Sequence, residues 1–194
     1  MRYSAEHKER TRRSLLSEAA AAIRAQGPER IGVAEVMGRL GLTHGGFYAH
    51  FKSKDDLVAH AITQMFDETY AWFLELTADM APDQALGSFI DAYLSTRHRD
   101  AIDRGCAVAA LSGEAPRLSA PVRERFSAGV ERLLAGVAAL LKKRGNKSAE
   151  ALAQSVVAEL VGALVLARSV TNAKRSEQIL RDSRKALKTR LSLN

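Results

Sequence analysis

Residues 33–54 read VAEVMGRLGLTHGGFYAHFKSK, and this stretch decides the fold. Val33, Val36, Met37 and Leu40 recur at helical spacing and form one apolar stripe over about two turns. Gly41 stands just past the last of them, where a left-handed residue without a Cβ ends a helix at no steric cost. Leu42 turns inward. Thr43 is expected to cap a second helix through its hydroxyl, and Phe47 and Phe51 mark that helix's inner side. His44, Gly45, Tyr48 and His50 are then left pointing outward. Two short helices joined by a turn of about three residues containing glycine have the geometry that places the second helix in a DNA major groove.

The rest of the chain reads as helices around this pair. Thr11 or its neighbourhood opens a first helix with Leu15, Leu16, Ala19, Ala20 and Ile23 inside, ended by Gly27-Pro28. Its Arg12 and Arg13 are either phosphate contacts or solvated charges. Ser53 caps a further helix whose first turn carries Asp55 and Asp56, as suits the helix dipole, and Lys54 stands beside its N-terminus, well placed for phosphate. That helix runs through Leu57, Ile62, Met65, Phe66, Tyr70 and Phe73 and is expected to connect two domains. Pro82 opens the next helix, residues 95–104 read as an exposed end and a connector, and three longer apolar patterns follow, ending near Leu141, Ala167 and Leu191.

Composition supports an all-α chain: four prolines, no strand-like alternation, and 46% hydrophobic residues in a 194-residue chain with ample material for a core. The net charge is +7, unevenly spread. Residues 1–60 carry ten Lys/Arg against seven Asp/Glu, whereas residues 61–104 carry three against eight and the last 27 carry eight against two. A face that approaches phosphate cannot be acidic, and the N-terminal end is not. The first residues have no apolar core of a signal peptide, and the longest uninterrupted apolar run, residues 160–167, falls short of the roughly 20 residues of a membrane span. With a single cysteine, this points to a cytoplasmic protein without a disulfide framework.

The run GLTHGGFYAHFKSKDDL resembles the DNA-binding domain of TetR-family transcriptional regulators. Their usual pattern is a Gly-Val-Ser/Thr turn, a short recognition helix with a Tyr or Phe-Tyr pair, an aromatic-Lys-Ser/Asn-Lys segment and an acidic residue before Leu. The resemblance covers roughly residues 8–62. It departs at Gly32 and Val33, where family members often carry Thr, and at His44, where Arg, Lys or Gln is common. The resemblance implies an N-terminal three-helix domain over 1–52 and a helical ligand-binding and dimerising domain over 53–194. It implies a homodimer formed by the last two helices, with Gly162, Ala163 and Ala167 allowing close approach. It implies a palindromic double-stranded operator and a small-molecule effector that releases a repressor. Tyr48, Lys54, Thr43 and His50 would hold phosphate, and His44 with the backbone near Gly45 and Gly46 would approach base edges.

Phe66, Tyr70, Phe89, Tyr93 and Phe126 are the candidates for the effector pocket, though helical spacing also fits plain core. Cys106, after Gly105 and near a helix start, has two readings: a sensor of oxidants or electrophiles, as in some TetR-like regulators with a similar Gly-Cys, or a small buried residue. No catalytic, metal or cofactor motif is present. His98-Arg99-Asp100 imitates a kinase loop but lacks the asparagine five residues on. A different class of function, a dimeric interaction module that has lost DNA binding, is left open by the absence of Arg and Lys within residues 43–51.

Overall fold

The computed structural model describes residues 5–193, which form helices and connecting turns with no strand among them. Helix α1 spans Ala5–Gln26, well before Thr11, because its charged first turns support themselves through pairs such as Arg13 on Glu9 at 3.7 Å. Its inner face buries Leu15, Ala19, Ala20 and Ile23. Gly27, at φ 85°, ends it and donates its N–H to the Ile23 carbonyl at 2.9 Å.

Helix α2, Val33–Arg39, buries Val36 and Met37 as its stripe requires. Gly41 takes φ 67°, and the Leu42 N–H returns to the Met37 carbonyl at 2.9 Å, so the left-handed stop predicted from sequence is in place. The second motif helix differs from expectation in kind. His44–Ala49 is a 3₁₀ helix, held by N–H bonds from Gly46 to the Thr43 carbonyl and from His50 to the Phe47 carbonyl. Two adjacent glycines, each costing about 1 kcal/mol in an α-helix, and a length of six residues leave too little to favour the wider helix. The Thr43 hydroxyl makes no capping bond. Phe47 and Phe51 are nevertheless buried, at 2% exposure each, so the inner side is the one the sequence indicated.

Helix α3, Lys54–Thr77, begins with the expected cap: Ser53 Oγ accepts the Asp56 N–H at 3.1 Å. Its 24 residues span about 36 Å at 1.5 Å per residue. The first half, with Leu57, Ala61, Ile62 and Met65 buried, packs with α1; the second half packs on α7, Ala120–Lys143. That second contact depends on two glycines of α7. A Cβ at Gly129 would stand 2.1 Å from the Phe66 ring, and one at Gly136 would stand 3.0 Å from Phe73. Burial of Phe66 and Phe73 there stabilises the fold by about 1.5–3 kcal/mol each.

Helix α4, Pro82–Tyr93, starts on proline and lies with α3 and α7. Residues 95–104, read from sequence as an exposed end and a connector, are largely exposed but carry structure of their own. They form α5, Thr96–Asp100, capped by Ser95, and a 3₁₀ turn, Ile102–Arg104, and they place His98 inside at 8% exposure. Helix α6 is Ala107–Leu111, followed by a 3₁₀ turn at Ala115–Arg117. Helices α8, Ala149–Ser169, and α9, Ala173–Arg190, close the bundle.

By length and composition α8 could cross a membrane, yet Val156, Leu160, Ala163, Leu164 and Ala167 are buried within this chain, as in a core helix. Ala163 and Ala167 therefore face the subunit's own interior. The open side of α8 carries Ala158, Gly162, Val165 and Leu166, with Leu166 59% exposed and no atom within 4 Å of a Cβ built on Gly162.

Candidate nucleic-acid interface and interior cavity

The 3₁₀ helix packs with α2 and leaves its outer side open. Tyr48 is 66% exposed, and its ring meets His44 edge-on at 6.3 Å and Phe47 at 5.3 Å. Gly45 faces open space, while a Cβ on Gly46 would touch Met37 Cε at 3.5 Å, so only the first glycine belongs to the outer surface. Thr43 and His44 are exposed. These residues form one polar and aromatic edge with no acidic side chain among them.

Two residues of the expected set have other employment. Lys54 Nζ donates to the Glu29 carbonyl at 2.8 Å, which ties the start of α3 to the α1–α2 connection. His50 is half-buried, with Nδ1 enclosed and without a partner. Burial, then the charges of Lys8 and Arg12, hold its pKa below the ordinary value and keep the ring neutral. Arg12, one of the two candidates for phosphate on α1, turns to the protein: its Nη1 donates to the His50 carbonyl at 2.7 Å and its guanidinium lies over the Phe51 ring at 4.4 Å. Arg39 joins α2 to α1, bonding Glu18 at 2.6 Å and Glu35 at 2.7 Å.

A cavity of about 780 Å³ opens between α3 and the α4–α6 region. Trp72, Leu76 and Met80 give it apolar wall, and Glu68, Thr69, His98 and Cys106 give it polar wall. None of the five aromatic residues proposed from sequence lines it. Phe66 packs on Phe126 at 5.4 Å; Phe89 packs on Phe73 at 4.9 Å and on Tyr93 at 5.6 Å; Tyr70 stacks on Phe73 under the Arg132 guanidinium. They form the core behind the cavity. The lining aromatic is Trp72, which belongs to the aromatic-rich end of α3 that sequence left open between pocket wall and core, but not to the five candidates chosen from it.

His98 organises the far wall. Its Nδ1 bonds the Tyr93 carbonyl at 2.8 Å and its Nε2 accepts the Cys106 N–H at 3.1 Å, which assigns the proton to Nδ1. Burial lowers its pKa to about 4, so the ring is neutral. Arg168 of α8 donates to the carbonyls of His98 and Arg99 at 2.9 and 3.0 Å. Gly105 makes that approach possible, since a Cβ there would stand 2.7 Å from the Arg168 guanidinium. Cys106 is buried at 2% exposure, and the adjacent Tyr93 hydroxyl is buried without a hydrogen-bond partner. Burial first, and the Cys106 thiol second, push the Tyr93 phenol well above its ordinary range.

A second cleft of about 820 Å³ lies between α1, Arg39, α3 and Asp103–Arg104. Glu68 and Arg104 border both spaces. Arg24, buried at 5% exposure, sits at this junction: it pairs with Glu68 at 2.8 Å and donates to the Met65 carbonyl at 3.1 Å. Sequence reading missed it, although a charged residue directly after Ile23 on the inner side of α1 was the available signal.

Comparison with known proteins agrees with this architecture. Residues 15–61 match the family model for bacterial regulatory proteins of the tetR family, and residues 82–187 match that for the tetracyclin repressor-like C-terminal domain. Similar solved structures include the reduced form of NemR from E. coli, with 20% identity over 92% of this chain and 96% of that one at a TM-score of 0.80. TetR-family regulators from Agrobacterium tumefaciens (24% identity, 92% and 98% covered, TM-score 0.78) and Chloroflexus aurantiacus (24%, 93% and 95%, 0.79) share the same fold. Among curated proteins, no sequence matches. With a C-terminal family match over more than half of the chain and a helix-turn-helix match preceding it, the protein belongs to the TetR family and is a DNA-binding transcriptional regulator.

Proposed function

We propose that this regulator is a homodimeric repressor that holds a palindromic operator and leaves it when a small molecule enters the cavity beside α3. The observation that carries the reading is the double role of Glu68, which borders the cavity and pairs with Arg24 of α1. A ligand with different affinities for two poses of α1 then shifts the population of DNA-competent dimers. His44 and Gly45 approach base edges, and Tyr48 and Thr43 hold phosphate. Lys54 and His50 act chiefly within the domain, since their polar groups are already engaged or enclosed. One recognition helix reads only a few base pairs; two related by a two-fold axis read half-sites about 34 Å apart. The open face of α8, with Gly162, Val165 and Leu166, supplies an apolar surface for the partner, next to the basic α9.

A second reading makes Cys106 the trigger. It is supported by the thiol's place in the cavity wall and by the unpartnered Tyr93 hydroxyl beside it, and one structural neighbour is described in its reduced form. A peroxide would oxidise the thiol to a sulfenic acid and be reduced to the corresponding alcohol or water. Added oxygen in so enclosed a place would displace α6 or α5.

Selection of bound duplexes from a random library with purified protein tests both readings. Recovery of a two-half-site palindrome supports the dimeric regulator; failure to enrich any sequence at low salt would overturn DNA reading and favour an interaction module. Release of wild type, but not Cys106→Ser, by peroxide would establish the thiol trigger. Retention of both under peroxide leaves the non-covalent effector as the reading.

A further inference from the structure

The part of this protein that reads DNA has little stability of its own. It is a six-residue 3₁₀ helix with two adjacent glycines, and isolated helices shorter than about 12–15 residues are marginal in water. Its pose must be imposed by its neighbours. Phe47 and Phe51 fix its inner side to the core, and Met37 lies under Gly46. Its C-terminal end remains, where the last carbonyls have no partner within the helix.

We propose that Arg12 is a positioning residue that fixes the end of the recognition helix against α1, and is not one of the phosphate contacts. Its Nη1 donates to the His50 carbonyl at 2.7 Å, while the same guanidinium lies over the Phe51 ring at 4.4 Å from the centroid. One planar group thus makes an in-plane hydrogen bond and a face contact at once. The two act in different directions, so together they restrain both the height and the rotation of the helix end. A cation at the C-terminal end of a helix also complements the partial charge of its carbonyls.

The neighbouring residue provides the contrast. Arg13 has a side chain 71% exposed and among the described residues reaches only Glu9, one turn away in its own helix, so it keeps the freedom a phosphate contact needs. Lysine could not replace Arg12, because an ammonium is a point charge without the plane that stacks on Phe51 while reaching His50.

Salt dependence and amide exchange separate the two roles. Each phosphate contact contributes about 0.9 to the slope of log K against log salt. The variants are Arg12→Met, which keeps the stem and removes charge and donors, and Arg12→Lys, which keeps the charge. Affinity for the duplex selected by the wild type would be measured at several salt concentrations, and amide exchange in the free protein. For a positioning residue, both variants bind at least about tenfold more weakly at every salt concentration with an unchanged slope. In the free protein the amides of Gly46, His50 and Phe51 exchange at least about tenfold faster. A slope shallower by about one in Arg12→Met, with wild-type exchange and wild-type binding by Arg12→Lys, would overturn the proposal in favour of a phosphate contact. So would wild-type binding and exchange in Arg12→Met. If Arg12→Met fails to fold, Arg12→Lys decides alone: wild-type exchange in it overturns the proposal. Exchange needs no operator, so a failed duplex selection does not affect that measurement.

Discussion

Arg24 of α1 and Glu68 of α3 lie 2.8 Å apart at the meeting of the DNA-binding helices and the cavity, with the arginine side chain 2% exposed and the glutamate 39% exposed. The asymmetry sets the energetics. Glu68 keeps part of its hydration, so the pair is weaker than one wholly buried, but loss of its carboxylate leaves an arginine charge inside the protein. Arg24 also donates to the Met65 carbonyl, which keeps the Thr69 hydroxyl as a second donor, so removal of the arginine strands little.

Glu68→Gln, which leaves the buried Arg24 charge without its counter-ion, is accordingly expected to cost about 2–4 kcal/mol, and Arg24→Met, which leaves a carboxylate that water reaches, about 1 kcal/mol. The double variant should cost less than their sum by roughly 1 kcal/mol, a coupling readable from denaturant unfolding. Strict additivity would show that the pair joins nothing.

The α3–α7 contact makes a contrast between two glycines of similar sequence context. Gly129→Ala puts a methyl group where the Phe66 ring stands, so α3 and α7 must separate; the expected loss is about 2–4 kcal/mol. Gly162→Ala meets nothing within this chain and gains helix propensity, up to about 1 kcal/mol. Thermal melts of the two variants should therefore move in opposite directions. In the dimer proposed through α8, Gly162→Arg should also lower the mass measured by light scattering, whereas an unchanged mass would remove α8 from the interface.

The sequence carried the helix-turn-helix because its signals are local. Gly41, Ser53 and the Phe47–Phe51 stripe each act within a few residues, and each does in the structure what its neighbours imply. The α-versus-3₁₀ outcome at His44–Ala49 was written in the two glycines, but its size is small against tertiary packing. What spacing could not supply is which of several buried aromatics borders empty space. Phe66, Tyr70, Phe89, Tyr93 and Phe126 satisfy the apolar pattern and pack in or against the core; Trp72 lines the cavity together with residues distant in sequence, His98 and Cys106, whose placement no spacing within α3 reveals. His98 itself looked like a polar connector, since its partners, the Tyr93 carbonyl and Cys106 N–H, are backbone groups invisible to residue pattern.

The outer edge of the recognition helix separates two kinds of contact. Tyr48 is 66% exposed and its hydroxyl makes no hydrogen bond among the described residues, so Tyr48→Ala should leave the melting temperature nearly unchanged while weakening binding to all duplexes with little change in the salt slope, because a neutral hydroxyl releases no counterion. His44→Ala should instead change preference among half-site variants, by about 1–3 kcal/mol at the position it reads. Competition binding with a panel of single-base variants checks the division, which equal and sequence-blind losses from both substitutions would refute.

Acid stability follows from His98. In the fold, burial holds its pKa at about 4, against 6.5 for the free side chain. A lowered pKa means that the unfolded chain binds a proton more readily than the folded one, so stability rises with pH across the interval between the two values. The contribution of the neutral, hydrogen-bonded ring is whole above about pH 6.5 and is lost as pH falls toward 4, amounting to roughly 3 kcal/mol at most. His50, shifted in the same direction, adds to the trend without a buried partner to lose. Denaturant unfolding at intervals from pH 7.5 to 4.5 should show the wild type losing stability faster than His98→Gln, whose amide titrates nowhere in the range. Parallel curves would mean that His98 is protonated in the fold at mild acidity, and that the Cys106 N–H has lost its acceptor there.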